Sequence, residues 1–163
     1  MNKLILIQVV APDYRSKFFG QLKKDLGSAF SLYAGEHYFQ KTIQSDLKIN
    51  RIRITNYFFF KRSFLFQFGS HWRELFKKNI IVIGLNPRTI SNWIFLILRK
   101  PLGLKTYVWG HAWPRKGPNS KTARIRYLMQ RFASGTITYS EAQKKELMTK
   151  YPKLRILSAP NAL

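Results

Sequence analysis

Leu4-Ile5-Leu6-Ile7-Gln8-Val9-Val10, followed by Ala11-Pro12-Asp13, is the stretch on which the fold class turns. The run is apolar but for Gln8 and closes on a turn former. An uninterrupted apolar segment of that length reads as a strand buried on both faces, the kind a parallel sheet uses. Helical spacing follows at once: Tyr14, Phe18, Leu22 and Leu26 recur every four positions, and Gly27 supplies a stop. Phe30 to Tyr33 then reads as a second strand.

The same alternation organises the second half. Ile80 to Ile83, closed by Gly84, is a buried strand, and Thr89 is placed to cap a helix running to about Arg99. Thr106 to Trp109 is the next strand. Ser120 can cap a helix with Ile125, Leu128, Met129 and Phe132 on one face. Gly135 to Tyr139 is another strand, and Ser140 with Gln143 makes a capping-box pattern that opens a further helix. Arg155 to Leu157 is a last short strand. Between the halves, Ile49, Ile52, Ile54 and Tyr57 to Phe60 suggest one or two aromatic strands. Phe64, Phe66 and Phe68 alternate as a half-buried strand would, and a short helix is expected near Trp72 to Lys77. Stacked strand–helix units of this kind predict an α/β fold, a Rossmann-like parallel sheet flanked by helices. No repeat or linker interrupts the 163 residues, so residues 1–163 are expected to form one domain.

Composition narrows the chemistry. There is no cysteine, which excludes a disulfide scaffold and a Cys nucleophile, and the three histidines, His37, His71 and His111, are far apart, so no metal site is expected. The glycine patterns of dinucleotide folds, P-loops and nucleophile elbows are absent. The initial apolar run is short for a signal peptide, and nothing approaches the roughly 18 apolar residues of a spanning helix. The expected location is the cytoplasm, including the cytoplasmic membrane face. The charge is lopsided: 29 Lys+Arg against 7 Asp+Glu give +22, and the 66 residues between Glu74 and Glu141 hold 12 Lys+Arg and no acid. Such a field attracts polyanions.

Ligands of open α/β sheets bind beyond the carboxyl ends of the strands. Those ends offer Asp13, Tyr14 and Arg15; Asn86; His111 and Trp113; and Ser140 and Glu141. His111 can donate a hydrogen bond or shuttle a proton, or it is a structural strand-end histidine. Arg15, in the first turn of a helix, suits an anion or is simply solvated. Ser140 is most economically a cap and Glu141 a first-turn acid.

These strand ends form an ordered set: Pro12-Asp13-Tyr14-Arg15 with Phe18-Phe19 and Leu22, Trp109-Gly110-His111, Tyr139-Ser140-Glu141, and Pro160-Asn161-Ala162. In that order the chain resembles the N-terminal domain of GT-B glycosyltransferases, and most of all the retaining family 4 (the glycosyl transferase group 1 type) that builds capsule and other surface polysaccharides. The resemblance implies an acceptor-side domain that transfers sugar from a nucleotide-sugar donor to a polysaccharide or lipid-linked acceptor. It implies that the donor is held mainly by a C-terminal domain, absent here or on a separate chain, without which the chain is inactive. No cofactor is expected in this chain itself. His111 becomes the candidate catalytic contact, and Asp13, Tyr14, Arg15, Asn86, Trp113, Ser140 and Glu141 become candidates for acceptor or phosphate binding. Many members carry a Gly-Gly pair where this chain has Asp13-Tyr14. Arg115, Lys116, Lys121, Arg124 and Arg126 are candidate contacts to an anionic membrane, or a solvated helix face. The competing readings are a nucleic-acid-binding module, which lacks any recognised motif, and a peripheral membrane adaptor.

Overall fold

The computed structural model describes residues 2–159, and its centre is a seven-stranded sheet in which every pairing is parallel. The elements run β1 (Leu4–Val10), α1 (Ser16–Leu26), β2 (Phe30–Gly35), β3 (Ile52–Arg53), β4 (Thr55–Phe59), β5 (Phe64–Phe68), β6 (Ile80–Gly84), α2 (Ile90–Arg99), β7 (Thr106–Gly110), α3 (Lys121–Phe132), β8 (Gly135–Thr138), α4 (Glu141–Lys150) and β9 (Ile156–Ser158). The strand order is β3-β2-β1-β6-β7-β8-β9, and β4 and β5 form a separate antiparallel hairpin. The Rossmann-like α/β class expected from the sequence is the one observed. The chain winds first to one side of β1 and then to the other, so the topological switch point lies between β1 and β6.

Strand β1 shows why its run is apolar but for Gln8. Ile5 and Ile7 face one core layer with Phe95 and Leu96 of α2 and Met129 of α3. Leu6 faces the other with Phe19 of α1. Each buried aliphatic side chain contributes about 1.5–3 kcal/mol, so both layers depend on this strand.

Three amphipathic readings rotate. The turn Asp13–Arg15 is a 3-10 segment, and α1 begins only at Ser16. Along α1 Phe19 is the buried residue, while Tyr14 and Leu26, at the two ends of the expected stripe, are exposed. A strict four-residue spacing drifts by about 40° per step on an α-helix, so a stripe of that length cannot stay on one face. On α3, Met129 and Ala123 are buried, whereas Ile125 and Leu128 face solvent. On β5, the interior receives Leu65 and Gln67, and the three phenylalanines point outward. The expected helix after β5 is a 3-10 turn, Ser70–Glu74. Thr89 does sit at the N-cap of α2, but its side chain makes no capping bond.

Arg99, the last residue of α2, is fully buried and bonds only uncharged acceptors. Its guanidinium donates to the carbonyls of Glu74 (2.9 Å), Leu75 (2.7 Å), Lys77 (3.0 Å), Asn79 (2.7 Å) and Lys105 (3.2 Å), and to Thr106 Oγ1 (2.8 Å). One side chain thus ties together the segments that enter β6 and β7.

The hairpin turn is unusual. Phe60, Lys61 and Arg62 are three successive non-glycine residues with left-handed φ of 50°, 51° and 61°. Each such residue costs roughly 1–2 kcal/mol. Two arginines hold the turn: Arg62 donates to the carbonyls of Phe39 (3.0 Å) and Tyr38, and Arg88 donates to those of Ser63 (2.6 Å) and Arg62 (2.7 Å).

Candidate functional site

Pro12 ends β1, and the 3-10 turn after it is closed by Arg15 N–H donating to the Pro12 carbonyl at 3.0 Å. Asp13 Oδ1 accepts from the Tyr14 N–H. The turn sends the Arg15 side chain back across the carboxyl ends of the strands, where it is only 7% exposed. There it donates to Gln8 Oε1 and to the Tyr139 hydroxyl, each at 3.1 Å. It also lies over the rings of Trp109 (4.9 Å), Tyr139 (5.6 Å) and Tyr14 (5.6 Å). Its Nε is buried without a partner among the described residues. A guanidinium held by neutral groups keeps its full positive charge, which attracts an anion to this end of the sheet.

His111 sits beside this group. It follows Gly110, where a Cβ would come within 2.9 Å of Leu85 Cβ, so only glycine lets the strands approach there. Gln143 fixes the imidazole. Its Oε1 accepts from the Ala112 N–H at 3.1 Å, which turns its NH2 toward His111 Nδ1 at 3.2 Å. Nδ1 is therefore an acceptor, and the neutral ring carries its proton on Nε2. Burial, then Arg126, Arg15 and Arg115, push the His111 pKa below its ordinary value. The edge of the ring meets Tyr139 at 4.7 Å. Arg126 donates to the His111 carbonyl at 2.8 Å, and although burial lowers its pKa, a guanidinium remains charged at neutral pH.

The result is a positively charged cluster at the carboxyl ends of the strands. Arg15, Arg115 and Arg126 act on His111, while Tyr38, kept neutral by burial, feels Arg88 and Arg126 and lies close to Tyr139 and Tyr14. Glu141 turns away: it accepts from Ser158 and pairs with Lys144 at 3.3 Å, and these bonds hold its carboxyl below the usual range. Asp13 is at the exposed rim. Among the described residues, an incoming anion would meet guanidiniums and one imidazole N–H, with Asp13 the carboxylate at the rim.

The other expected site residues separate. Asn86 Oδ1 accepts from the Arg88 N–H and shapes its own turn. Trp113 donates to Glu146 at 2.9 Å and packs with Tyr151 beside α4, away from Arg15. Ser140 is a helix cap, accepting from the Gln143 N–H. Arg115 and Lys116 lie in the exposed loop after β7, and Lys121 and Arg124 on the outer side of α3. Arg126, grouped with them on the sequence, instead turns inward to His111. Pro160-Asn161-Ala162 lies outside the described residues. Sequence reasoning missed Gln8, Tyr38, Arg88 and Gln143. Gln8 left a signal, as the one polar residue of β1; the others left none.

A groove of about 370 Å³ lies elsewhere, between α1 and β3, lined among others by Phe19, Lys23, Ile49 and Arg51. It too gathers cations, Lys23, Lys48 and Arg51, and Arg51 Nε and Nη2 are buried without a partner among the described residues, but it lies beside Phe30, Ser31 and Leu32 at the start of β2, not at the carboxyl ends of the strands. No protein-family model matches the chain, and none of the curated proteins matches it. No helix among the described residues is long and apolar enough to cross a membrane.

Proposed function

We propose that this chain is the acceptor-side domain of a GT-B-type glycosyltransferase, and that the strand-end cluster receives the phosphate-bearing part of its substrates. The observation that carries this is Arg15: buried, without an acid partner among the described residues, and placed with Arg126 around a neutral imidazole at the carboxyl end of a parallel sheet. In the transfer, an acceptor hydroxyl oxygen bonds to the anomeric carbon as the sugar–diphosphate bond breaks, and the hydroxyl proton passes to the departing diphosphate oxygen. Arg15 and Arg126 stabilise the negative charge that develops, and His111 donates its Nε2–H to a substrate oxygen. A second domain, on a longer chain or a separate one, would hold the nucleotide. The ordered strand-end motifs support this assignment.

Calorimetric titration with inorganic pyrophosphate tests the site. Saturable binding that weakens at least about tenfold in Arg15→Gln is expected, the scale of one lost charge-assisted contact. Equal affinity in wild type and Arg15→Gln would remove the site. Sugar transfer upon mixing with a donor-side domain tests the reaction, and no gain over either chain alone counts against it.

A further inference from the structure

The hairpin β4–β5 has one face built into the molecule and one face largely open, where Phe66 stacks on Trp72 (5.6 Å) and the other rings have no cover among the described residues. Directly opposed residues share a face, so Asn56, Phe58, Leu65 and Gln67 form one side and Thr55, Tyr57, Phe59, Phe64, Phe66 and Phe68 the other. The inner side is pinned to β1. Asn56 donates to the Val9 carbonyl at 2.7 Å, and Gln67 donates to the Gln8 carbonyl at 3.1 Å. On the outer side the rings touch in series. Phe60 meets Phe64 (6.2 Å), Phe64 meets Phe59 (5.8 Å), Phe59 meets Tyr57 (6.4 Å), Tyr57 meets Phe68 (6.4 Å), and Phe68 meets Phe66 (4.7 Å). Tyr57 is 60% exposed, Phe60 75% and Phe68 52%. A continuous aromatic surface of this kind on a single chain marks a contact site.

Charge selects the occupant. Residues 47–140 contain 18 Lys+Arg and a single acid, Glu74, which is buried and paired with Lys77 at 2.9 Å. Lys61 and Arg62 form the hairpin tip, and Arg88 is bonded to it. A second copy would bring the same positive field and repel. Rings with cations at their rim match a bilayer interface bearing anionic headgroups, where aromatic side chains sit at headgroup depth and basic ones pair with phosphate. We infer that the outer face of the β4–β5 hairpin, tip first, docks onto an anionic lipid surface. The strained turn fits this use, because it projects Phe60 outward while Arg62 anchors the backbone. Gln8 bonds both the hairpin and Arg15, so docking would set the anion cluster a fixed distance from the lipid. The inference stands whether or not the chain transfers sugar.

The test is co-sedimentation of the protein with phosphatidylcholine vesicles containing about one third phosphatidylglycerol, a composition with a strong negative surface potential. Wild type should bind these and not pure phosphatidylcholine. Phe60→Ser with Phe68→Ser should weaken binding at least about tenfold, since both rings are lost from the interface, and pyrophosphate affinity should not change. Lys121→Ser with Arg124→Ser, on α3, should have little effect. As a second readout, Phe60→Trp should gain fluorescence that brominated lipid quenches. The inference is overturned if wild type ignores the vesicles, if the α3 variant loses binding while the hairpin variant keeps it, or if single-stranded RNA binds more tightly than the vesicles at the same salt and the hairpin variant loses that binding instead.

Discussion

The placement of one proton decides what His111 can do. With Gln143 donating to Nδ1, the ring is neutral and offers only Nε2–H to a ligand. Replacing Gln143 with glutamate reverses the side chain's role from donor to acceptor and adds a negative charge. Gln143→Glu should therefore raise the His111 pKa from its depressed value, because the carboxylate favours the imidazolium. An NMR titration of the imidazole checks this, and an unchanged midpoint would show that Gln143 does not set the tautomer. Arg15 and His111 were singled out in the sequence because His111 follows directly on β7 and Arg15 lies in the turn between β1 and α1. Gln143 could not. Its spacing from Ser140 reads as a reciprocal cap, and only half of that forms: its N–H bonds Ser140 Oγ, while its side chain reaches to the loop after β7. A contact between segments about thirty residues apart leaves no local trace.

Among the elements, α2 depends on its final residue. Arg99→Leu leaves five carbonyls and Thr106 Oγ1 without their shared donor in a buried place, and should cost at least about 3 kcal/mol, since each buried polar group left unmet costs about 1–3 kcal/mol. Urea unfolding measures it, and a loss below about 1 kcal/mol would mean that water replaces the guanidinium. The parallel strands were readable because strands covered on both faces are nearly continuous apolar runs, so no choice of face is needed. The hairpin and α3 required that choice. On the hairpin the phenylalanines of β5 lie outward, so the usual rule that the apolar side points inward gives the inverted answer; on α3 it holds for Met129 and Phe132, which pack on the core, and fails for Ile125 and Leu128. The terminal strand shifts by one residue, to Ile156–Ser158, a smaller difference of the same local kind.

At the level of the whole molecule, His71 makes folding sensitive to acid. It is fully buried among Tyr33, Trp72 and Phe95, and neither ring nitrogen has a partner among the described residues. Burial pushes its pKa down to about 4. The fold therefore favours the neutral ring, and an unfolded histidine binds its proton first. Stability is complete above pH 6.5 and falls as pH drops toward 4, by about 3 kcal/mol if His71 acts alone. Tyr33, the titratable neighbour, stays neutral across this window because burial raises its pKa. His111, also depressed, acts in the same direction. Urea melts at pH 7 and pH 5 should differ by about 2 kcal/mol less in His71→Leu than in wild type, and an equal difference would place the acid sensitivity elsewhere.

The two deeply buried arginines stand at opposite ends of the sheet, Arg99 on main-chain carbonyls and Arg15 on ring faces, an amide and a hydroxyl. Neither takes part in an ion pair among the described residues. In evolutionary terms, interior and exterior are uncoupled. A lineage can gain or shed acidic residues over the outside of the protein without taking a counter-ion from either arginine. Selection is free to set the outer charge by the partner met there, while inheritance of the fold rests on groups that substitution of acids does not touch.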